Sequence, residues 1–520
     1  MSMKKTCALI FVFGIFLIPL VWGQEETIDT GMINRIRNEG LLHSQIHYIA
    51  HHITDASGSR LTNSAGFRRA AGWIISTLRQ WGMTGAKLEA WGDFGYGWDL
   101  EKSYIAMSAP YYASMIAYPE PWSGSTSGPV NAPVLFLERE DSAYIVKNAD
   151  KIKGHILLLK VSDSTLRSDF KPDAERLTDS ALANMHDEYM LSPEMIHMFI
   201  PIIAKRMKLK KMIQQAGAVA VLAMSEGGRD GTVFVDGFGG FRKDDQPAMP
   251  QIILSREDYL KAQRLLESGI EVKMELDIRA KLYKEDLQGH NLVAEIPGTD
   301  PSLKEEVVML GGHLDSWQTA TGATDNGAGC IAAIEAVRIL QSIGVKPKRT
   351  IRICLWDGEE QGLFGSFHYV RNHFGDPADM QLKPEQSKIS VYYNLDNGTG
   401  KIRGVFAQSN QDVVPIFKKW LEPFTDLGAT TVTLHNTGST DHLSFDAVGI
   451  PGFQFIQDPL DYETRTHHSN MDNFDHLSIK DLQQAATIIA AFVYNSAMRA
   501  EKLPRKPLPK AQKFLFDGLF

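Results

Sequence analysis

Apolar and polar positions follow two different textures along this chain. From Gly31 to Gly92 short apolar segments alternate with polar ones at helical spacing, most clearly from Ala70 to Trp91. A Pro/Gly/Ser-rich stretch, PEPWSGSTSGPVNAP from Pro119 to Pro133, breaks that pattern and predicts a domain boundary. Beyond it, VLFL at Val134 and GHILLLK from Gly154 read as strands, and Asp169 to Tyr189 as a polar helical region. KMIQQAGAVAVLAM from Lys211 reads as a helix, a turn at Gly217 and an apolar strand. This region closes with PAMPQIILS at Pro247 and a helix from Arg256, and a second boundary falls near Lys281 to Gln288.

Thereafter strand, loop and helix repeat. VVML from Val307, RTIRICLW from Arg349, SVYYNLD from Ser390, VFAQ from Val405 and IPGFQFIQ from Ile450 are the strands, with helices after Ala328, after Glu360 and from Ser478. Such alternation predicts an α/β fold with a mainly parallel central sheet flanked by helices.

Composition narrows the functional classes. At 520 residues, 43% hydrophobic and 22% charged, the chain is long enough for more than one folding unit and too apolar for sustained disorder. Its net charge of −8 disfavours nucleic acid as a partner. Lys4-Lys5, the apolar run from Ala8 to Trp22 and Gly23 read as an export signal, with a mature start at Gln24. Bulky Trp22 beside that cleavage point keeps a signal anchor as the alternative. No later stretch is an uninterrupted span, so we expect a periplasmic, luminal or secreted protein with no stable membrane insertion after processing. Cys7 precedes the apolar run, and Cys330 and Cys354 alone make neither a disulfide framework nor a C-x-x-C metal site.

The candidate chemistry lies at strand ends. GGHLDSW places His313 and Asp315 just beyond VVML, where the carboxylate can fix the imidazole tautomer. GATDNGAGC offers Asp325 in a glycine-rich turn before a helix, as a bridge between cations or a simple helix cap. DGEEQG sets Glu359 beside Glu360, a repulsive pair unless a metal takes one and the other works on water. YYNLDNGTG adds Asp396, and YETRTHHSNMD adds His467 and His468. Imidazoles with carboxylates suit two divalent ions, zinc rather than magnesium, with cobalt or manganese as substitutes. Ser439 and Asp441 in HNTGSTDHLSF could meet a substrate carboxylate or ammonium, or cap a helix.

In this order the five segments resemble the metal-site segments of the di-zinc exopeptidases, the family of bacterial leucyl aminopeptidases and plasma glutamate carboxypeptidase. The resemblance spans roughly Asn291 to Ala500. It implies two Zn2+ ions bridged by Asp325, one completed by His313 and Asp396, the other by Glu360 and His468. It also implies Glu359 as general base, Asp315 as support for His313 and a cis bond after Asp325, with His467 a neighbour of the metals or a transition-state donor that meets substrate. KIKGHILLLK, QQAGAVAVLAM and MPQIILS resemble a protease-associated domain inserted in that family, the excursion from Thr165 to Met207 being unlike its compact form.

The expected division is therefore 1–23 signal peptide, 24–118 first part of a peptidase domain, 119–284 inserted β-rich domain, 285–503 zinc peptidase domain and 504–520 surface tail. The implied activity is hydrolysis of short peptides or dipeptides by metal-activated water. Aminopeptidase, carboxypeptidase and dipeptidase action remain open, as does a homodimer. A single-zinc glutaminyl cyclase and a non-catalytic receptor are the competing readings, distinguished by the completeness of the His313 to His468 set.

Overall fold

The computed structural model describes residues 26–139, 141–161, 171–237, 239–245 and 248–513. The expected leader with Cys7, the start at Gln24 and the last seven residues of the tail lie outside the described residues, as do positions 162–170 of the excursion. Among the described residues two eight-stranded sheets organise the chain.

The first sheet runs, in spatial order, Thr84–Asp93, Gln288–Ile296, Thr350–Trp356, Val307–His313, Ile389–Asn394, Gly452–Gln457, Ile402–Phe406 and Thr431–Thr433. Its four central strands, Thr350–Trp356 through Gly452–Gln457, are parallel, and antiparallel pairings appear towards the edges. Val307–His313 and Ile389–Asn394 are buried at every position, which explains why their sequences are mainly apolar and do not alternate: helices cover both faces. Ala328–Ser342 and Ile479–Met498, with Thr30–Leu42 and Ile46–Ile53, pack one face; Phe364–His373 and His442–Asp446 pack the other. At Gly311 in the sheet centre a Cβ would lie 1.7 Å from the Cys354 carbonyl oxygen, so only glycine fits between these strands. Cys330 and Cys354 are buried free thiols.

The sequence pattern misleads in three places. The run from Ala70 is helical only to Gln80; Gly82 turns the chain with φ +85°, and Thr84–Asp93 becomes an edge strand. The chain then leaves the first sheet at Asp93 and re-enters it at Gln288, and these two residues are register partners. The second sheet accordingly begins at Gly97–Ala109, upstream of the Pro/Gly/Ser-rich stretch, with that strand paired along its length to Lys273–Tyr283. Third, within the described part of the stretch from Asp169 to Tyr189, residues 171–189, only Asp179–Ala183 is helical. Its described flanks are strapped to loops of the first sheet, Glu175 pairing with Leu460 and Glu188 with Thr437, while Arg176 ion-pairs with buried Asp458. Among the described residues no helix is long and apolar enough to cross a membrane.

Candidate metal centre

Four parallel strands deliver the proposed ligands to one edge, where such sheets place their sites. Val307–His313 ends on His313, Thr350–Trp356 leads to Glu359 and Glu360, and Ile389–Asn394 leads to Asp396. Gly452–Gln457 leads, through the short turn Tyr462–Thr466, to His467 and His468. Asp325 enters between them just ahead of helix Ala328–Ser342, and the Asp325-Asn326 bond is cis, the isomer implied by the resemblance.

The two carboxylate oxygens of Asp325 face different partners. Oδ1 lies 3.4 Å from His313 Nε2, which is also 3.3 Å from Asp396 Oδ1. Oδ2 lies 3.3 Å from His468 Nε2, which is 2.9 Å from Glu360 Oε2. Two ligand atoms each about 2.0 Å from a tetrahedral ion are roughly 3.3 Å apart, so these spacings fit two zinc-sized ions flanking Asp325. Asp325 Oδ2 and Glu360 Oε1 are buried without a hydrogen-bond donor among the described residues, as expected of atoms meant for a cation. His467 Nε2 stands further off, 3.9 Å from Asp325 Oδ2, with its Nδ1 3.6 Å from Glu463.

Hydrogen bonds reveal what holds this cluster. His313 Nδ1 lies 3.0 Å from the carbonyl oxygen of Asp315, which can only accept, so Nδ1 donates and Nε2 is left facing Asp325 and Asp396. The Asp315 carboxylate is 3.6 Å from that ring and does other work. It accepts the backbone N–H of Glu359 at 3.2 Å and of Glu360 at 3.3 Å, aligning both glutamates, and takes the Thr62 hydroxyl at 3.0 Å. Asp472 accepts the N–H groups of Thr324 (2.6 Å) and Asp325 (3.1 Å), fixing the bridging loop. Thr440 donates to Asp396 Oδ2 at 2.5 Å. Buried Arg60 donates to the carbonyls of Leu314, Thr321 and Gly322, clamping the loops around His313 and Asp325. Asp472 stood in the THHSNMD segment and was within reach of sequence reasoning; Arg60, more than 250 residues from its partners, carried no local signal.

Ser439 and Asp441 sit in the loop just ahead of helix His442–Asp446. Ser439 Oγ donates to the Tyr189 carbonyl at 2.8 Å, and Asp441 is fully buried. Burial raises the Asp441 carboxyl to about 8, with His313 pulling the other way.

Crowded carboxylates shift one another. Burial raises the Glu359 carboxyl well above its usual range, and burial reinforced by Asp325 does the same for Glu360. Burial opposes a charge on His313, but Asp396 and Glu359 outweigh it and raise the imidazole. In the metal-free chain each of these shifts favours the protonated form of its group, so bound protons compete with metal. A divalent ion must displace them, so apparent metal affinity should rise with pH. Calorimetry in buffers of different ionisation enthalpy should therefore give buffer-dependent heats of zinc binding, and buffer-independent heats would contradict this.

Comparison with known proteins bears on the same residues. Positions 291–493 match the profile of Peptidase family M28. Carboxypeptidase Q of Homo sapiens is 32% identical over 263 residues, 51% of this chain and 53% of that protein, so the chain spans about half the length of the curated relatives it matches. A peptidase M28 precursor from Shewanella amazonensis SB2B shares the fold with a TM-score of 0.65 at 21% identity, over 92% of this chain and 98% of that one. A zinc aminopeptidase from Bacillus subtilis does so with a TM-score of 0.53 at 19% identity, over 88% and 96%. Residues 291–493, which bring together the five segments read from the sequence, are therefore the part of the chain that is similar to peptidase family M28.

Proposed function

We propose that this chain is a metallo-exopeptidase that hydrolyses short peptides or dipeptides with two divalent ions. The observation carrying this reading is the division of the ligand set by Asp325, one oxygen towards His313 and Asp396, the other towards His468 and Glu360. Those five residues would hold the ions; zinc suits the imidazole and carboxylate donors, with Co2+ or Mn2+ as substitutes. When bound, the ions polarise a peptide carbonyl and acidify water.

The chain's own groups do the rest. Glu359, 3.7 Å from His313 Nε2 and with its carboxyl raised by burial, takes a proton from the attacking water and hands it to the leaving amine. Asp315 is a positioning residue, holding the backbone of both glutamates while its carbonyl fixes the His313 ring. His467, half-exposed at the rim, faces incoming substrate as a donor beside the metals. Two facing ligand sets favour hydrolysis over single-zinc cyclase chemistry and over a receptor that has lost its metals.

A panel of dipeptides with free and blocked ends tests the reading. We expect turnover of at least one peptide with a free end, lost on blocking that end. Protein loaded with metal that cleaves none of the panel would refute it.

A further inference from the structure

A cavity of about 750 Å³ opens beside His467 and His468 and extends into the second sheet. Val221, Ala223 and Met224 of strand Ala220–Met224, with Ile253, line it on one side; Ile203 and Met207 of helix Pro193–Gln215 line it on the other. Most of its charges are already matched: Lys210 with Glu120 at 2.7 Å, Arg206 with Glu226 at 3.8 Å, and Arg229 with Asp173. Asp236 differs. It lines the same cavity, is exposed to it, and has no ion-pair or hydrogen-bond partner among the described residues.

The position of Asp236 is tied to the metal centre. Val235 N–H donates to the His468 carbonyl at 2.8 Å, Val233 N–H to the Asn470 side chain at 2.7 Å, and Asn470 N–H to the Val233 carbonyl at 3.1 Å. These bonds, around the isolated bridge between Phe234 and Ser469, hold the segment carrying Asp236 against the His467 and His468 loop.

We propose that Asp236 is a specificity residue, receiving the ammonium or guanidinium group of a short peptide whose scissile bond lies at the metal centre and whose other residues occupy this chamber. A space of that volume is about 11 Å across if spherical, the reach of about three extended residues. A peptide with its carbonyl beside His468 therefore brings either its amino end or a basic side chain to Asp236. Matched pairs elsewhere in the cavity leave this carboxylate as the group able to select charge. The inference rests on the exopeptidase reading and names the substrate class for it.

Calorimetry on zinc-loaded Glu359→Gln protein separates binding from turnover. One arm compares Ala-Ala with its N-acetylated form; the other compares N-acetyl-Lys-Ala with N-acetyl-norleucyl-Ala. In at least one arm the cationic peptide should bind about tenfold or more tightly than its neutral match, as a charge-assisted hydrogen bond implies. Adding Asp236→Asn should bring that ratio close to one with zinc content unchanged, and Asp236→Glu should restore part of it. The arm that responds identifies the source of the cation, amino end or side chain. No cationic preference in either arm, an unchanged ratio in Asp236→Asn, or an equal loss for all four peptides would overturn the inference. Failure of the exopeptidase reading shows separately, as absence of turnover by the unsubstituted enzyme.

Discussion

Replacing Glu359 with Gln should lower the turnover number by about 10² or more while metal content stays near that of the unsubstituted protein. The substitution keeps the shape of the side chain and removes only its capacity to accept a proton. Its backbone N–H still reaches Asp315, so Glu360 stays aligned. Glu360→Gln should behave in the opposite way, weakening one metal site, because its Oε2 is the atom 2.9 Å from His468. Steady-state kinetics alongside elemental analysis distinguishes the two. Near-normal turnover in Glu359→Gln, or greater metal loss there than in Glu360→Gln, would show the roles to be misassigned.

Asp325→Asn should have the widest effect on metal. Its two oxygens serve both ligand sets, so dialysed variant should lose both ions, and activity should fall at least as far as in Glu359→Gln. The fold should survive, because the loop is held through the Asp325 backbone N–H on Asp472 and not through the side chain. His313→Ala and His468→Ala should each lose one equivalent preferentially. Asp325→Asn protein that kept two equivalents through dialysis would contradict a bridging role.

Much of the candidate site was legible in sequence because its residues, Asp325 before a helix excepted, follow apolar strands, and parallel strands converge at one edge. His313, Glu359, Glu360 and Asp396 are read from that rule alone. What escaped are contacts set by tertiary closure. Asp315 was expected to orient His313 through its carboxylate, yet its carbonyl does so, since the Glu359 and Glu360 amides compete for the carboxylate. Thr84–Asp93 was concealed by helical spacing that runs past Gln80, because an edge strand beside helix Ala65–Gln80 needs little apolar surface of its own. The start of the second sheet was hidden for a different reason. Gly97–Ala109 finds its partner Lys273–Tyr283 more than 160 residues later, whereas the punctuation at Pro119 to Pro133 marks a turn within that sheet. Asp441, read from its loop as a substrate contact or a helix cap, is fully buried and makes no side-chain capping bond to helix His442–Asp446.

Zinc titration of metal-stripped protein, with activity and bound metal recorded at every step, bears most directly on the paired ligand sets around Asp325. Activity should stay low through the first equivalent where one ion alone is bound, and reach its plateau only as bound zinc approaches two per chain. A plateau at one equivalent, unchanged when the second binds, would contradict two ions acting together.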